Sequence, residues 1–170
     1  MRTRLVTVLA SLFVVLSMLG ATPASANSYP GLVEKNYYHN NDTLRARIAI
    51  EVNGAGQGRY RFHLTCYHTT DNGTKVAQYC DFDPHIATWC DLTTGSCVYG
   101  RPALVIHDAD YTWTGSYRTL VNNHTYAVKM FDFKASYFYI SGHRGAFHTI
   151  CSNKVTWHSG GSPTVGSAAC

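Results

Sequence analysis

Hydrophobic and polar residues alternate with a period of two over several parts of the chain. The alternation is strictest from Leu44 to Val52, where every second residue is apolar and charged residues lie between them. A period of two places successive side chains on opposite faces of a strand, so this segment predicts a half-buried β-strand. Residues 59–66 repeat the pattern, and Asn72-Gly73 before a third strand at 75–80 is a strong hairpin signal.

The same pattern continues to the end of the chain and predicts about nine short strands in total. The later strands are predicted at 103–107, 111–117, 125–133, 135–140, 147–151 and 155–158, whereas 81–101, which contains Pro84, is predicted to be irregular. No long window has the spacing of about 3.6 residues that a helix requires. Short strands separated by frequent turns predict an all-β fold, either a disulfide-bonded β-sandwich or a partly closed barrel.

The first 26 residues have the pattern of a secretory signal peptide. Two arginines precede an apolar run from Leu5 to Leu19, and Ala24-Ser25-Ala26 supplies the small residues of a cleavage site. The apolar run is shorter than the ~20 residues that span a bilayer. We therefore expect a secreted, extracellular protein with an irregular tyrosine-rich arm at 27–43, a sandwich domain at 44–158 and a Gly/Ser tail at 159–170.

Six cysteines remain after the signal peptide, and an even number in an exported chain indicates disulfide bonds. Their spacing favours three local pairs: Cys66–Cys80 across a hairpin, Cys90–Cys97 around a short loop, and Cys151–Cys170 at the end of the tail. The alternative joins neighbouring hairpins through Cys80–Cys90 and Cys66–Cys97. There is no C-x-x-C motif, which argues against zinc-ribbon and thioredoxin-like proteins.

Composition excludes several classes of protein. A chain that is 45% hydrophobic and 13% aromatic can bury a core, so it is not disordered. Charged residues make up 14% of the chain. It has 14 basic and 10 acidic residues, and two of the basic residues, Arg2 and Arg4, lie in the signal peptide. The mature chain is therefore close to neutral. We expect neither a nucleic-acid partner nor insertion into a membrane.

One segment has the residue types of a metal site. Asp81, Asp83 and His85 occupy alternate positions, which share one face of an extended segment, and their oxygen and nitrogen atoms suit zinc or a similar ion. The alternative is a polar loop, in which Asp and Pro are common because they shape turns. We expect no metal and no other cofactor.

His107 with Asp108 is the candidate for catalysis, because histidine titrates near neutral pH and a carboxylate can orient it. Adjacent residues on a regular strand point to opposite faces, however, and the alternative is a strand end that enters a turn. The sequence contains no nucleophile elbow, metalloprotease, phosphate-loop or dinucleotide motif. We expect a protein that is not an enzyme; a small secreted hydrolase that uses His85 or His107 with nearby aspartates is the alternative.

Aromatic residues are the candidates for binding, because they offer a large contact area at a low entropy cost. Three of them alternate on one predicted strand and three lie in the arm: Tyr111, Trp113, Tyr117, Tyr29, Tyr37 and Tyr38. The alternative for the strand residues is the sandwich core. For the arm, we expect that deletion of residues 27–40 leaves the sandwich folded and abolishes or sharply weakens binding to a partner. The alternative is that the arm packs on its own sandwich, in which case the deletion lowers the melting temperature.

The signal peptide, the cysteines and the Tyr/Asn/Thr-rich strands are similar to those of small exported actinobacterial proteins. Among these, the chain resembles the small adaptor subunits of secreted umbrella-type toxin particles in size, export and lack of catalytic residues. The resemblance implies a non-catalytic module that joins a lectin-like subunit to a larger repeat-containing subunit, in antagonism between bacteria. A secreted protease inhibitor that presents the 90–97 loop is a further alternative.

Overall fold

The computed structural model describes residues 27–39, 41–83, 86–100, 106–137 and 148–170. These residues form fourteen strands and no helix, which confirms the all-β prediction, and they contain no helix able to cross a membrane. The strands are β1 (Val33–His39), β2 (Asp42–Val52), β3 (Gln57–Thr69), β4 (Lys75–Ala77), β5 (Cys80–Asp83), β6 (Ile86–Asp91), β7 (Ser96–Gly100), β8 (Ile106–Asp108), β9 (Asp110–Thr114), β10 (Arg118–Thr119), β11 (Thr125–Tyr137), β12 (His148–Cys151), β13 (Asn153–Thr156) and β14 (Thr164–Ala168).

The strands form two antiparallel sheets. In the six-stranded sheet, β2 lies between β1 and β3, and β3 also pairs with β4, β9 and β10. In the eight-stranded sheet, β11 pairs with β5, β6, β12 and β13, while β8, β7 and β14 extend it at its margins. Among the described strands neither sheet closes on itself, so the arrangement is that of the predicted sandwich.

The core lies between the two sheets and comes from the predicted alternation. On β2 and β3 the inward side chains include Leu44, Ile48, Ile50, Phe62 and Leu64, each at most 2% exposed. The facing sheet contributes Phe82, Trp89, Val128, Met130 and Ile150, each at most 4% exposed. Full burial of one such side chain stabilises the fold by about 1.5–3 kcal/mol, so the facing apolar surfaces hold the sheets together.

The three local disulfides are confirmed, and the alternative pairing between hairpins is wrong. Cys66 on β3 and Cys80 on β5 are both fully buried, and their bond joins one sheet to the other. Cys90 and Cys97 are direct partners in the β6–β7 register. Cys151–Cys170 fastens the end of the tail beside β12.

Several predicted boundaries are corrected. The described residues between 81 and 100 are not irregular: they contain the β6–β7 hairpin. The tail contains β14, which pairs with β13. The single strand predicted at 75–80 is two strands, because β4 joins one sheet and β5 joins the other. Strict alternation is absent from β6 and β14, since Thr88 is buried beside Ala87 and Trp89 and all of β14 is exposed.

The predicted irregular arm is also corrected. All seven residues of β1 pair with β2, which itself begins at Asp42. Tyr37 stacks on His148 of β12, with ring centres 3.8 Å apart, and its hydroxyl donates a hydrogen bond to the Thr149 carbonyl at 3.3 Å. The arm therefore packs on its own sandwich and links the two sheets at one edge. Deletion of residues 27–40 should lower the melting temperature, contrary to the expectation from the sequence.

We expect Tyr37→Ala to destabilise the protein by about 2 kcal/mol, because it removes a half-buried aromatic ring that bridges the sheets. The matched control is Tyr38→Ala, since Tyr38 is 73% exposed and should change stability by less than about 0.5 kcal/mol. Urea denaturation of both variants measures the difference. Equal midpoints for the two variants would show that β1 does not stabilise the sandwich.

Candidate binding site

The aromatic residues predicted to form one exposed face on β9 lie on the inner face of the sheet. Tyr111 is the register partner of Leu64, and Trp113 is the partner of Phe62. Both pack against the core, Tyr111 near Phe82 and Trp113 with its ring centre 4.9 Å from that of Tyr60. Both side chains are partly buried, so they do not form a fully exposed face, and their binding role stays a prediction. Alternation places them on one face correctly, but it does not tell which face is covered.

The remaining predicted binding residues divide into two groups. Tyr37 is occupied by its contacts with β12, and Tyr117 is half-buried beside Arg59, whose guanidinium carbon lies 4.3 Å from the ring centre. Tyr29 and Tyr38 are 44% and 73% exposed. The two exposed rings are therefore the members of the predicted set whose surface remains available to a partner.

The candidate metal and catalytic residues are only partly described. Asp81 and Asp83 lie on β5, whereas His85 and the side chains of Asp83 and His107 fall outside the described part of the structure. The Asp108 carboxylate accepts hydrogen bonds from the backbone amides of Ala109 and Asp110, as in a turn. Within the segments that the structure describes, no three His, Cys, Asp or Glu side chains form a group that could hold a metal.

Three histidine–aspartate pairs were missed by the sequence reasoning. They are His63 with Asp110, His68 with Asp42, and His124 with Asp91. Each pair joins residues at least 26 positions apart, so no linear motif reports it. The strand register does explain the second pair, because Asp42 is the direct partner of His68 across β2 and β3.

A buried carboxylate lies on the outer face of the six-stranded sheet. Glu51 points away from the core, as expected, yet its side chain is only 1% exposed. Arg59 donates two hydrogen bonds to it, at 3.0 and 3.1 Å, and the Tyr117 hydroxyl and the Asn27 amide donate one each, at 3.0 and 2.7 Å. The cluster therefore joins the start of the described chain to β2 and β3.

The pKa of Glu51 follows from these contacts. Burial alone would raise it, but the hydrogen bonds from Arg59 and Tyr117 and the positive charges of Arg59 and Arg61 outweigh burial and hold the pKa below its ordinary value. The same carboxylate raises the pKa of Arg59. Glu51 is thus an ionised group that stabilises the outer face.

The turn of the β6–β7 hairpin is held by side-chain and backbone hydrogen bonds and by a disulfide bond. Asp91 Oδ1 accepts hydrogen bonds from the amides of Thr93 and Thr94 at 3.0 and 3.3 Å, and Asp91 Oδ2 lies 2.7 Å from His124 Nδ1. The Leu92 amide donates to the Thr125 carbonyl at 2.7 Å. These contacts and the Cys90–Cys97 bond hold the turn against the start of β11.

Apolar side chains are exposed on this fixed hairpin. Leu92 is 42% exposed in the turn, and on β7 Val98 is 40% and Tyr99 is 69% exposed. We call these three residues the hairpin surface; Val98 and Tyr99 are neighbours on β7, so they lie on its two opposite faces. Among the described strands β7 pairs with β6 alone, so β7 forms an edge of its sheet beside the exposed side chains. A rigid element with exposed apolar side chains and backbone hydrogen-bonding groups is suited to bind another protein.

No protein-family model, curated protein or solved structure matches this chain.

We expect Glu51→Gln to destabilise the protein by about 2 kcal/mol near pH 7. Breaking a fully buried ion pair costs ~3–5 kcal/mol, and the cost is smaller here because the arginines keep part of their hydration. The folded pKa of Glu51 is depressed, so its contribution is complete above the unfolded value of about 4.3 and is lost as the pH falls through the folded pKa. Urea denaturation near pH 7 and at about pH 3 should show the difference between wild type and variant shrinking in acid.

The control for this experiment is Glu34→Gln. Glu34 also pairs with an arginine, Arg47, but its side chain is 38% exposed, so its loss should cost less than about 1 kcal/mol. If the two variants lose equal stability at neutral pH, the buried cluster does not stabilise the outer face as described.

Proposed function

We propose that this protein is a secreted, non-catalytic binding module that attaches to another extracellular protein through its β6–β7 hairpin. The observation that carries the proposal is the hairpin surface, in which Leu92, Val98 and Tyr99 are exposed on a turn fixed by a disulfide, by Asp91 and by β11. A loop that is already ordered loses little conformational entropy when it binds, so more of its contact energy becomes affinity.

The chemistry of the chain supports an extracellular location. Three disulfides in a small β protein fit an oxidising compartment outside the cytoplasm, because cytoplasmic thiols are kept reduced. The N-terminal pattern of a signal peptide supports the same location.

The edge of β7 suggests how the partner binds. An extended segment of a second protein can add a strand to an exposed sheet edge, so that backbone hydrogen bonds supply affinity. Side chains at alternate positions of that segment then contact Val98 or Tyr99. The partner that fits is therefore a protein with an accessible extended segment carrying apolar side chains.

An adaptor that joins two proteins needs a second surface. A candidate for that surface is an edge of the six-stranded sheet, where β1 is a terminal strand and pairs with β2 alone among the described strands. Tyr38 is 73% exposed there. Two edges on different sheets suit a module that bridges a lectin-like subunit and a larger repeat-containing subunit, as in the toxin particles that the sequence resembles, used against competing bacteria.

A second candidate function uses the same hairpin. A disulfide-closed turn with an exposed Leu92 has the features of a loop that occupies a protease cleft as a rigid substrate mimic. Titration against a panel of secreted serine and metalloproteases separates the two functions. Stoichiometric inhibition that Leu92→Asp abolishes would assign the hairpin to inhibition and not to adaptor binding.

We expect Leu92→Ala and Tyr99→Ala each to weaken partner binding about tenfold, because exposed aromatic and aliphatic anchors dominate such contacts. The partner is first isolated with the tagged mature protein from culture supernatant and identified by mass spectrometry, and its affinity is then measured by interferometry with purified proteins. Val165→Ala is the matched control, since Val165 on β14 is 49% exposed, close to the 42% of Leu92, and lies outside the hairpin surface. A lone monomer under mild, low-salt conditions, or unchanged affinity for both variants, would contradict the proposal.

Removal of the Cys90–Cys97 bond should show how much the rigidity of the turn contributes to binding, because it leaves the contacting side chains of the hairpin surface unchanged. We expect the Cys90→Ala/Cys97→Ala double variant to remain folded, because the bond closes only a short loop. Its affinity for the partner should fall, chiefly through faster dissociation. The Cys151→Ala/Cys170→Ala double variant should bind with wild-type affinity, because that bond lies in the tail. Equal effects of the two removals would mean that the fixed turn is not the binding element.

A further inference from the structure

A pocket lies where the sandwich opens beyond the Cys66–Cys80 bond. It is formed by the start of β2, the end of β3 and the segment from β4 to β5, and it has a volume of about 410 Å³. The pockets that bind small molecules have volumes of about 300–1,000 Å³. This pocket is separate from the hairpin surface and from the Glu51 cluster, and neither has a residue in it.

The polar wall of the pocket contains a buried carboxylate. Asp42 is 3% exposed, and its Oδ1 atom lies 2.8 Å from Nδ1 of His68, whose side chain is 46% exposed. A carboxylate offers about four acceptor positions, so the contact with His68 leaves further capacity. The histidine ring is held in place by the aspartate and borders the pocket.

Gln78 supplies the second polar group and the strongest indication of a ligand. The residue lines the pocket and is only 7% exposed, and its Oε1 atom is buried without a hydrogen-bond partner. A buried acceptor without a donor costs free energy, so such atoms call for an explanation. Rotation of the terminal amide is soft in glutamine, so the oxygen can turn toward a donor inside the pocket.

The remaining wall is apolar and aromatic. Tyr79 is 55% exposed and Val76 is 48% exposed at the rim, and none of the described residues that line the pocket is Lys or Arg. An aromatic ring offers a large, rigid surface for the C–H face of a sugar. An anionic ligand is disfavoured, because the described lining offers the Asp42 carboxylate and the Gln78 amide oxygen but no lysine or arginine. A ligand with several neighbouring hydroxyl groups can donate hydrogen bonds to both of these acceptors at once.

We propose that this pocket binds a single ring of a neutral saccharide. The hydroxyls donate to Asp42 and Gln78, His68 contacts the ring from the side, and the apolar face of the sugar packs on Tyr79. The site goes beyond the proposed attachment to a protein, because it would let the same module hold a glycan at a place remote from the hairpin surface.

The test uses the mature chain and a panel of free monosaccharides: glucose, galactose, mannose and N-acetylglucosamine. Titration of the ¹⁵N-labelled protein should move the amide signals of His68, Gln78 and Tyr79 for at least one sugar. We expect Tyr79→Ala and Gln78→Leu each to weaken that sugar at least tenfold. Gln78→Leu should leave the melting temperature unchanged or raise it, because it removes the orphaned oxygen; a purely structural glutamine would lower it.

Tyr99→Ala is the matched control, since Tyr99 is an exposed tyrosine of the hairpin surface. It should leave sugar binding intact while weakening the protein partner, so the two proposals can fail independently. Three outcomes would each overturn the saccharide site. None of the sugars binds, the signal changes lie outside the pocket, or a quaternary ammonium ion binds more tightly than any sugar.

Discussion

Eleven consecutive residue pairs join β2 to β3, and their register determines which side chains enter the core and which form the outer face. Leu44, Ile48 and Phe62 turn inward, while Glu51 meets Arg59 on the opposite side. A shift of one residue would exchange the two faces and bury the arginines against the second sheet. The apolar face and the ion pair thus specify the same register, and the disulfide from Cys66 then fixes how β3 faces β5.

The outer face of this pairing is itself partly covered. Asn27 reaches Glu51 from the start of the described chain, Ser28 forms a bridge with Val52, and Tyr117 closes over Arg59. These contacts leave the carboxylate of this ion pair almost without water, while Arg59 keeps part of its hydration. Such a pair is tolerated because each polar atom of the carboxylate has donors around it, and removal of one member would leave the others unsatisfied. The outer face is therefore a second, polar layer of structure.

The sequence predicts the parts of the fold that depend on local pattern. Alternation identifies β2 and β3, Asn72-Gly73 identifies their neighbouring hairpin, and close spacing identifies each disulfide pair. It does not identify β1 or β14, because edge strands bury little and need no strict alternation. It also does not show that Tyr111 and Trp113 face the core, since a period of two defines two faces and not which one is covered.

The candidate sites were harder to predict for a related reason. The pocket brings Asp42 together with Gln78 through the register of β2 and β3 and the turn after β4, so its members are scattered in the sequence. The hairpin surface lies in the segment 81–101, which the sequence predicts to be irregular because it contains Pro84 and many polar residues. Binding surfaces here are products of tertiary pairing, and the types of residue in them are common throughout the chain.

The central position of β11 has a consequence for how the chain reaches this state. Its residues 126–137 pair with β6 and β5, so Ala127 meets Cys90 and Tyr137 meets Cys80, across long intervening segments. The β2–β3 hairpin can form early, but the sheet that covers its apolar face waits until β11 has been synthesised. Long-range pairings of this kind make folding slow and leave partly folded chains prone to aggregation. Until β11 has paired, a partly folded chain of this protein therefore exposes the apolar face of the β2–β3 hairpin.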